Sequence, residues 1–453
     1  MKLKTRCRVL AMIISLSAIL PGCAGYSAAN QVNALDKTAS LNVSGPQVVT
    51  TAQMGNVVME WNEQAASRTL SASPALQPIQ QTRLMAIVQL AMHDAVNGIT
   101  GQYATYLTPG AAPANASPDA AAIAAAYYAL KNLPVNQSPS LDTDFAVSLA
   151  AHGVSEFDPG VEYGRAAAAA VLAVRANDHS AQAQFPYTAP GAGTPGVWVP
   201  ISAAPNAQAL LPGWGNVTPF ALRSGSQFRP EPPPALDSER YAQDYNEIKI
   251  IGATGSPTRT SEQTQIAQFW LASPTAIWNP VLRQVIATRD LDLSAQARAF
   301  ALLYVAAADA GIGCWEAKYV YNFWRPQLAI RGGDTDGNNL TVGDATWLPA
   351  LLPTPRHPEY PSGHSANSGA MAEVLELLFG NDPGMTLVVT VSGITRQWQT
   401  FDQGVEEVID ARIYSGFHFR TSDEAGARMG RQIARFAWTH TLRQCPKGKP
   451  HCG

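Results

Sequence analysis

Apolar residues recur at three- and four-residue intervals over residues 83–99, the spacing that lines one face of a helix with 3.6 residues per turn. Ala-rich stretches at 119–131 and 161–176 continue that behaviour, and Ala is the strongest helix former. The same period returns over 238–272 and 277–289. Residues 294–328 read as one or two long helices of Ala, Leu and Val, and 366–379 as another. No sustained alternation of the strand type interrupts them, and β-branched clusters are few. The pattern predicts an all-α chain, its helices packed as bundles joined by long connecting loops. The longest such loop, residues 184–236, is rich in Pro and Gly, with Gly213-Trp214-Gly215 and Pro232-Pro233-Pro234, and cannot be one regular element. It is either a connection between bundles or the wall of a functional pocket.

Composition narrows the class. The 453 residues are 46% hydrophobic and 14% charged, which excludes wholesale disorder. The 35 glycines and 33 prolines follow no triplet period, so collagen is excluded too. With 31 Lys and Arg against 34 Asp and Glu, the formal charge of −3 shows no basic footprint for nucleic acid. Five cysteines are too few for a disulfide scaffold.

Residues 1–22 read as an export signal. Lys2, Lys4, Arg6 and Arg8 form a positive head, and the apolar run 9–20 is too short to span a bilayer. Leu20-Pro21-Gly22-Cys23 looks like a bacterial lipobox that would lipidate Cys23; ordinary cleavage near Ala28-Ala29 is the alternative. Removing 1–22 takes away four positive charges and leaves −7. Residues 23–55 then form a flexible leader, 56–440 the helical domain and 441–453 a polar tail. No later segment reads as apolar enough to span. The expectation is an exported body: periplasmic, secreted, or held at the envelope only by a lipid anchor. Export permits disulfides. Cys445 and Cys452 could close a small loop, with a metal knuckle using His451 as the alternative, and Cys314 reads as a small buried hydrophobe.

Three clusters carry candidate chemistry. In 318–326, Lys318 and Arg325 lie seven apart, about two turns of a continuous helix that would aim both the same way. Pro326 would end that helix just after Arg325. The pair reads as an anion site or, alone, as a solvated basic edge. In Tyr360-Pro361-Ser362-Gly363-His364-Ser365, Ser362 sits where a helix N-cap belongs, and Gly363 lets backbone N–H groups approach an anion closely. His364, in the first turn, can give or take a proton. In the third cluster, Arg412 and His418 precede a helix expected to begin at Thr421 or Ser422, where Thr421 and Glu424 have capping-box spacing. Read singly, the second is an ordinary cap with a surface histidine and the third a structural histidine. Read together, the three supply fixed cations, helix-start amides and two histidines, a kit for a multiply charged tetrahedral oxyanion. His93-Asp94, inside an amphipathic helix, reads as structural.

These clusters resemble the signature of the superfamily shared by vanadium-dependent haloperoxidases and type 2 phosphatidic acid phosphatases, including bacterial class A acid phosphatases. That signature is Lys, six residues, Arg-Pro; then Pro-Ser-Gly-His; then Ser-Arg, five residues, His, three residues, Asp. Lys318 and Arg325-Pro326 match the first part, Pro361 to His364 the second, and Arg412 with His418 the third. Ala411 stands where the signature has Ser, and Ser422 where it has the Asp that orients the histidine; Asp423, one place later, substitutes by a small shift or Ser422 simply caps the helix.

The resemblance implies vanadate bound through His418, with its oxygens held by Lys318, Arg325, Ser362, Gly363 and Arg412. It implies His364 as acid and base, and Lys318 polarising hydrogen peroxide, so that halide is oxidised to hypohalous acid. In the family the place of Trp315 lines the halide pocket. His357 matches a place where bromoperoxidases carry His, which favours bromide or iodide over chloride. One alternative is a soluble phosphomonoesterase with His418 as nucleophile and His364 as leaving-group acid. Another, favoured by Ser422, is a non-catalytic envelope lipoprotein that binds oxyanions.

Overall fold

The structure is a computed structural model and describes residues 56–135, 140–201, 207–446 and 452. The expected signal, the lipidation site Cys23, the leader 23–55 and His451 lie outside the described residues. Everything described falls in the unit formed by residues 48–453. Its elements in chain order are α1 (Val57–Leu70), α2 (Pro78–Thr100), α3 (Pro118–Lys131), α4 (Ser140–Ala151), α5 (Pro159–Arg175), α6 (Glu239–Ile251), α7 (Ser261–Phe269), α8 (Pro274–Ile286) and α9 (Leu293–Tyr321). There follow α10 (Pro326–Arg331), α11 (Gly363–Phe379), the strands β1 (Leu387–Val391) and β2 (Ile394–Trp398), α12 (Phe401–Tyr414) and α13 (Arg420–His440). The all-α expectation holds.

The helices start where the local chemistry says they should. Asn56, Ser117, Asp158, Ser238, Thr260, Ser273, Asp292 and Thr400 each accept a first-turn amide. Pro occupies the first helical position of α2, α3, α5 and α8, where its missing N–H costs nothing. The caps at Ser238 and Thr260 divide the 238–272 region into α6 and α7.

Helix α9 is the axis. It is buried on all sides from Gln296 to Trp315 and packs against α2, α11 and α13. Contrary to the sequence expectation, α9 is long and apolar enough to cross a membrane by length and composition, but the whole of its apolar stretch is enclosed by the other helices. Helices α11 and α13 approach closely because glycine lines the seam. A Cβ on Gly430 would lie 2.0 Å from the Ala366 carbonyl oxygen, and one on Gly426 would lie 2.5 Å from that of Ser362.

Three local expectations are corrected. Helix α9 ends at Tyr321, where Asn322 turns the chain in the left-handed region (φ 48°), so Lys318 and Arg325 do not share a helix. Pro326 starts α10 rather than ending α9, and Arg325 is its N-cap residue. Helix α13 begins at Arg420 and not at Thr421 or Ser422. The Thr421–Glu424 capping box does not form, because Arg240 reaches across from α6: its Nε donates to Thr421 Oγ1 at 2.7 Å and its Nη2 pairs with Glu424 at 3.3 Å. A hairpin also went unread in the pattern. β1 and β2 pair antiparallel through Ser392-Gly393, both at positive φ, a two-residue turn suited to the twist of a hairpin.

Among its described residues, segment 184–236 has no regular element beyond a short 3₁₀ turn at Trp214–Asn216, and it walls α9. The Leu210 carbonyl accepts from Trp315 Nε1 at 3.2 Å and from Tyr319 hydroxyl at 2.7 Å. At the other end of the chain, Cys445 and Cys452 form a disulfide, and Cys314 is free and buried. His93 and Asp94 are structural. The Asp94 carboxylate accepts the amides of Tyr106 and Leu107, and His93 Nε2 meets the Ala104 carbonyl, which together fix the loop after α2.

Candidate active site

The last turn of α9, the start of α10, the loop before α11, the α11 start and the α12–α13 connection meet beneath the surface. Lys318, Arg325 and Arg412 are 0%, 0% and 2% exposed, three cationic side chains removed from water together. Each is anchored by backbone carbonyls. Lys318 Nζ donates to Pro358 and Glu359 oxygens at 2.8 and 2.9 Å. Arg325 Nε donates to His357 O and its Nη1 to Phe417 O. Arg412 Nη1 donates to Trp270 O, while its buried Nε has no acceptor. Burial lowers Lys318 to about 7 and both arginines to about 10. Each of the three burdens the fold unless something anionic offsets the charge.

His418 lies between a base and a cation. Its Nδ1 is 2.9 Å from Glu359 Oε1, and its Nε2 is 3.1 Å from Arg325 Nη1. A guanidinium can only donate, so Nε2 carries the lone pair and Nδ1–H donates to the carboxylate. Burial and the neighbouring Arg325 and Lys318 hold His418 well below the usual imidazole range, so the ring is neutral. Glu359 also accepts the Phe419 amide at 3.0 Å, and burial pushes it up to about 7. It occupies the role that the signature gives to the Asp three places after the histidine. Asp423 does not substitute by a small shift, because it accepts instead from Ser365 Oγ at 2.8 Å. Ser422, for its part, reaches the Glu359 carbonyl at 3.4 Å.

Glu359 was missed in the sequence. The signal was the missing Asp itself: a neutral imidazole ligand needs a partner on its other nitrogen, and Glu359 precedes the Pro-Ser-Gly-His run directly.

Ser362 is the N-cap residue of α11 but caps nothing with its side chain. Its Oγ sits 3.3 Å from Ser365 Oγ. The first α11 amides are therefore left without a side-chain cap, and Gly363 packs closely under Trp315, where a Cβ would lie 3.2 Å from the ring. His364 Nε2 donates to Ala272 O at 3.2 Å, leaving Nδ1 as the atom able to take a proton. Burial, then Arg412, Lys318 and Arg325, hold it neutral. Trp315 and His357 meet as tilted rings, 4.8 Å between centroids and 43° between planes, and His357 Nδ1 lies 3.0 Å from Arg325 Nη2. The sequence-derived residues Lys318, Arg325, His357, Ser362, Gly363, His364, Arg412 and His418, with Trp315, are thus brought together.

Three buried cations against two carboxyls, both pushed upward by burial, leave an excess of positive charge. With the partnerless Arg412 Nε and the uncapped α11 amides, the donor set fits a tetrahedral oxyanion such as vanadate or phosphate. Among the described residues, no group of three or more His, Cys, Asp or Glu is placed to hold a metal cation.

A helical scaffold enclosing such a cradle defines an oxyanion-handling protein of the kind the sequence motifs pointed to, and the comparisons agree. The family described as "VCPO second helical-bundle domain" matches residues 298–446. Vanadium chloroperoxidase from Curvularia inaequalis is 26% identical over 212 residues, which cover 40% of this chain and 34% of that protein's length. Among solved structures, a bacterial vanadium-dependent iodoperoxidase matches with TM-score 0.74 and 26% identity, over 87% of this chain and 99% of its own. A holo-type bacterial vanadium-dependent chloroperoxidase matches with TM-score 0.65 and 17% identity, over 84% and 96%, a likeness of fold alone. These matches support the superfamily that vanadium-dependent haloperoxidases share with type 2 phosphatidic acid phosphatases.

Proposed function

We propose that the protein is a vanadium-dependent peroxidase that oxidises bromide or iodide with hydrogen peroxide to hypohalous acid. The observation that carries this reading is the buried His418. Its Nε2 lone pair is fixed by Glu359 and set among Lys318, Arg325 and Arg412. His418 Nε2 would ligate vanadate, and Lys318, Arg325, Arg412, Ser362 and the Gly363 amide would hold its oxygens. When bound, vanadate supplies a Lewis acid that activates peroxide without changing oxidation state.

The chain's own groups do the rest. Glu359 keeps the His418 proton on Nδ1, so that Nε2 stays a donor of electrons. Lys318, poised near 7, can carry a proton to the developing negative charge at neutral pH. Neutral His364 can take a proton from peroxide at Nδ1. The Trp315–His357 pair offers an aromatic wall beside Arg325 for halide. The iodoperoxidase likeness and His357 both support the softer halides.

The Glu359–His418 pair also favours a second reading, a phosphomonoesterase with His418 as nucleophile, because a carboxylate-oriented histidine is the arrangement such a nucleophile needs. The non-catalytic reading rested on Ser422, and Glu359 removes that ground. Export is part of the proposal, supported by the Cys445–Cys452 disulfide, which persists in oxidising compartments.

The test is bromide and iodide oxidation with vanadate and peroxide, beside hydrolysis of a phosphate monoester. Halide oxidation that stops when vanadate is chelated supports the peroxidase; oxidation that persists contradicts it. Phosphatase turnover that survives His418→Ala removes the second reading.

A further inference from the structure

Two serines and a carboxyl share hydrogen bonds at the start of α11. Asp423 is fully buried, and its charge acts on Lys318, Arg325 and Arg412. Its carboxyl does not hold His418, which Glu359 already orients; it serves hydroxyls instead. Ser365 Oγ donates to Asp423 Oδ1 at 2.8 Å, and the Ser362 hydroxyl hydrogen-bonds the same carboxyl. The two serine oxygens lie 3.3 Å apart, and both residues are 0% exposed.

A hydroxyl carries one hydrogen and two lone pairs. The Ser365 hydrogen goes to the carboxyl, the shorter and stronger of the two bonds open to it. The Ser362 hydrogen then has two acceptors on that side, the Asp423 carboxyl and the Ser365 oxygen. A carboxyl keeps an accepting oxygen even when protonated, so this direction does not hang on the charge of Asp423. Nor are the lone pairs of Ser362 spent on the helix, because its Oγ accepts from no α11 amide.

What Ser362 has left for a ligand is therefore lone pairs. Lys318, Arg325, Arg412 and the α11 amides are donors, which any tetrahedral dianion satisfies alike. Ser362 discriminates. Its lone pair meets an oxyanion favourably only where that oxyanion carries a hydrogen. Against a bare oxygen, two acceptors face each other and one is left unsatisfied.

On the reading that Ser362 meets the oxyanion, we propose that Asp423 is a positioning residue that turns the Ser362 hydrogen inward and makes the site selective for oxyanions bearing a proton. Hydrogen vanadate and hydrogen phosphate belong to that class. Sulfate and selenate, which hold no proton near neutral pH, do not.

Calorimetric titration of the full chain, free of vanadate, tests this with phosphate and sulfate. The pH is set where phosphate is the dianion, so that the two probes match in charge and shape. Phosphate is expected to bind about tenfold or more tighter, the effect of one unsatisfied acceptor, and arsenate is expected to exceed selenate in the same way. Ser362→Ala removes a hydroxyl on which the start of α11 does not depend, and the phosphate-to-sulfate ratio is expected to fall close to one. Asp423→Ala releases the Ser362 hydrogen toward the ligand, so sulfate gains and the ratio falls likewise. A merely structural role would weaken both anions together and leave the ratio as it was. Equal affinities in the wild type, or a ratio unchanged in either variant, overturn the proposal while vanadate binding at His418 stands. Ser362→Ala decides the matter even where Asp423→Ala does not fold. If the wild type binds none of the four anions, the oxyanion reading falls together with the proposal.

Discussion

Glu359 shows what a single carboxylate does in a cationic cavity. It fixes the tautomer of His418 through Oε1 and, being buried, titrates near 7 rather than in the ordinary range. Glu359→Gln keeps an acceptor for the Phe419 amide but weakens the hold on the His418 proton. Vanadate affinity is expected to fall 10- to 100-fold, roughly the effect of removing a partner that orients a ligating histidine. Unchanged affinity in an equilibrium titration would show that His418 needs no orienter.

Lys318 gives a pH dependence with a definite sign. Its folded pKa, lowered to about 7, means the charged form is present below that value and lost above it. Glu359 gains its negative charge over the same interval. Both changes weaken anion binding as pH rises. Sulfate keeps its charge throughout, so its affinity reports the protein alone. Above about pH 7 that affinity is expected to drop by up to about tenfold per unit, and to fall less steeply in Lys318→Gln. A flat profile from about pH 6 to about pH 8.5 would contradict the assignment.

At the scale of elements, periodicity located the helices well, because apolar spacing and Ala content act locally. It failed where a tertiary partner or one residue's backbone decides. Asn322 in the left-handed region ends α9 one turn past Lys318, and Arg325 returns to the same place from the N-cap of α10. The seven-residue spacing thus pointed to the right pair for the wrong reason. Arg240 on α6 dissolves a capping box whose local pattern is sound. The hairpin was hidden because β1 reads Leu-Val-Val-Thr-Val, with too little polar alternation to register. The oxyanion cluster was legible because three short motifs fix its residue types; Glu359 was not, because its pairing with His418 spans 59 residues and follows no spacing rule.

The α11–α13 seam makes an element-scale prediction. Gly426 lets α13 rest on the Ser362 carbonyl, and Gly426→Ala forces the two helix starts apart. A loss of about 1–3 kcal/mol in denaturant unfolding is expected, with weaker vanadate binding alongside. Wild-type stability would mean that the seam has room the structure does not show.

On the scale of the whole molecule, a helix whose apolar stretch is fully enclosed carries two residues of the site. Helix α9 delivers Trp315 and Lys318 from its last turns, and helices from both sides of the sequence bury it. The disulfide lies far along the chain from this arrangement and closes only a short tail loop, beside which Cys445 N donates to Gln102 O. Cys445→Ser with Cys452→Ser is expected to lower stability by no more than about 2 kcal/mol and to leave vanadate binding unchanged. A loss of vanadate binding in that variant would tie the tail to the site.

The most direct test of the central claim is a crystal structure of the chain grown with vanadate. One vanadium centre bonded to His418 Nε2, with its oxygens within hydrogen-bond reach of Lys318, Arg325 and Arg412, is the predicted result. Vanadium bound elsewhere, or this pocket left empty at saturating vanadate, would contradict it.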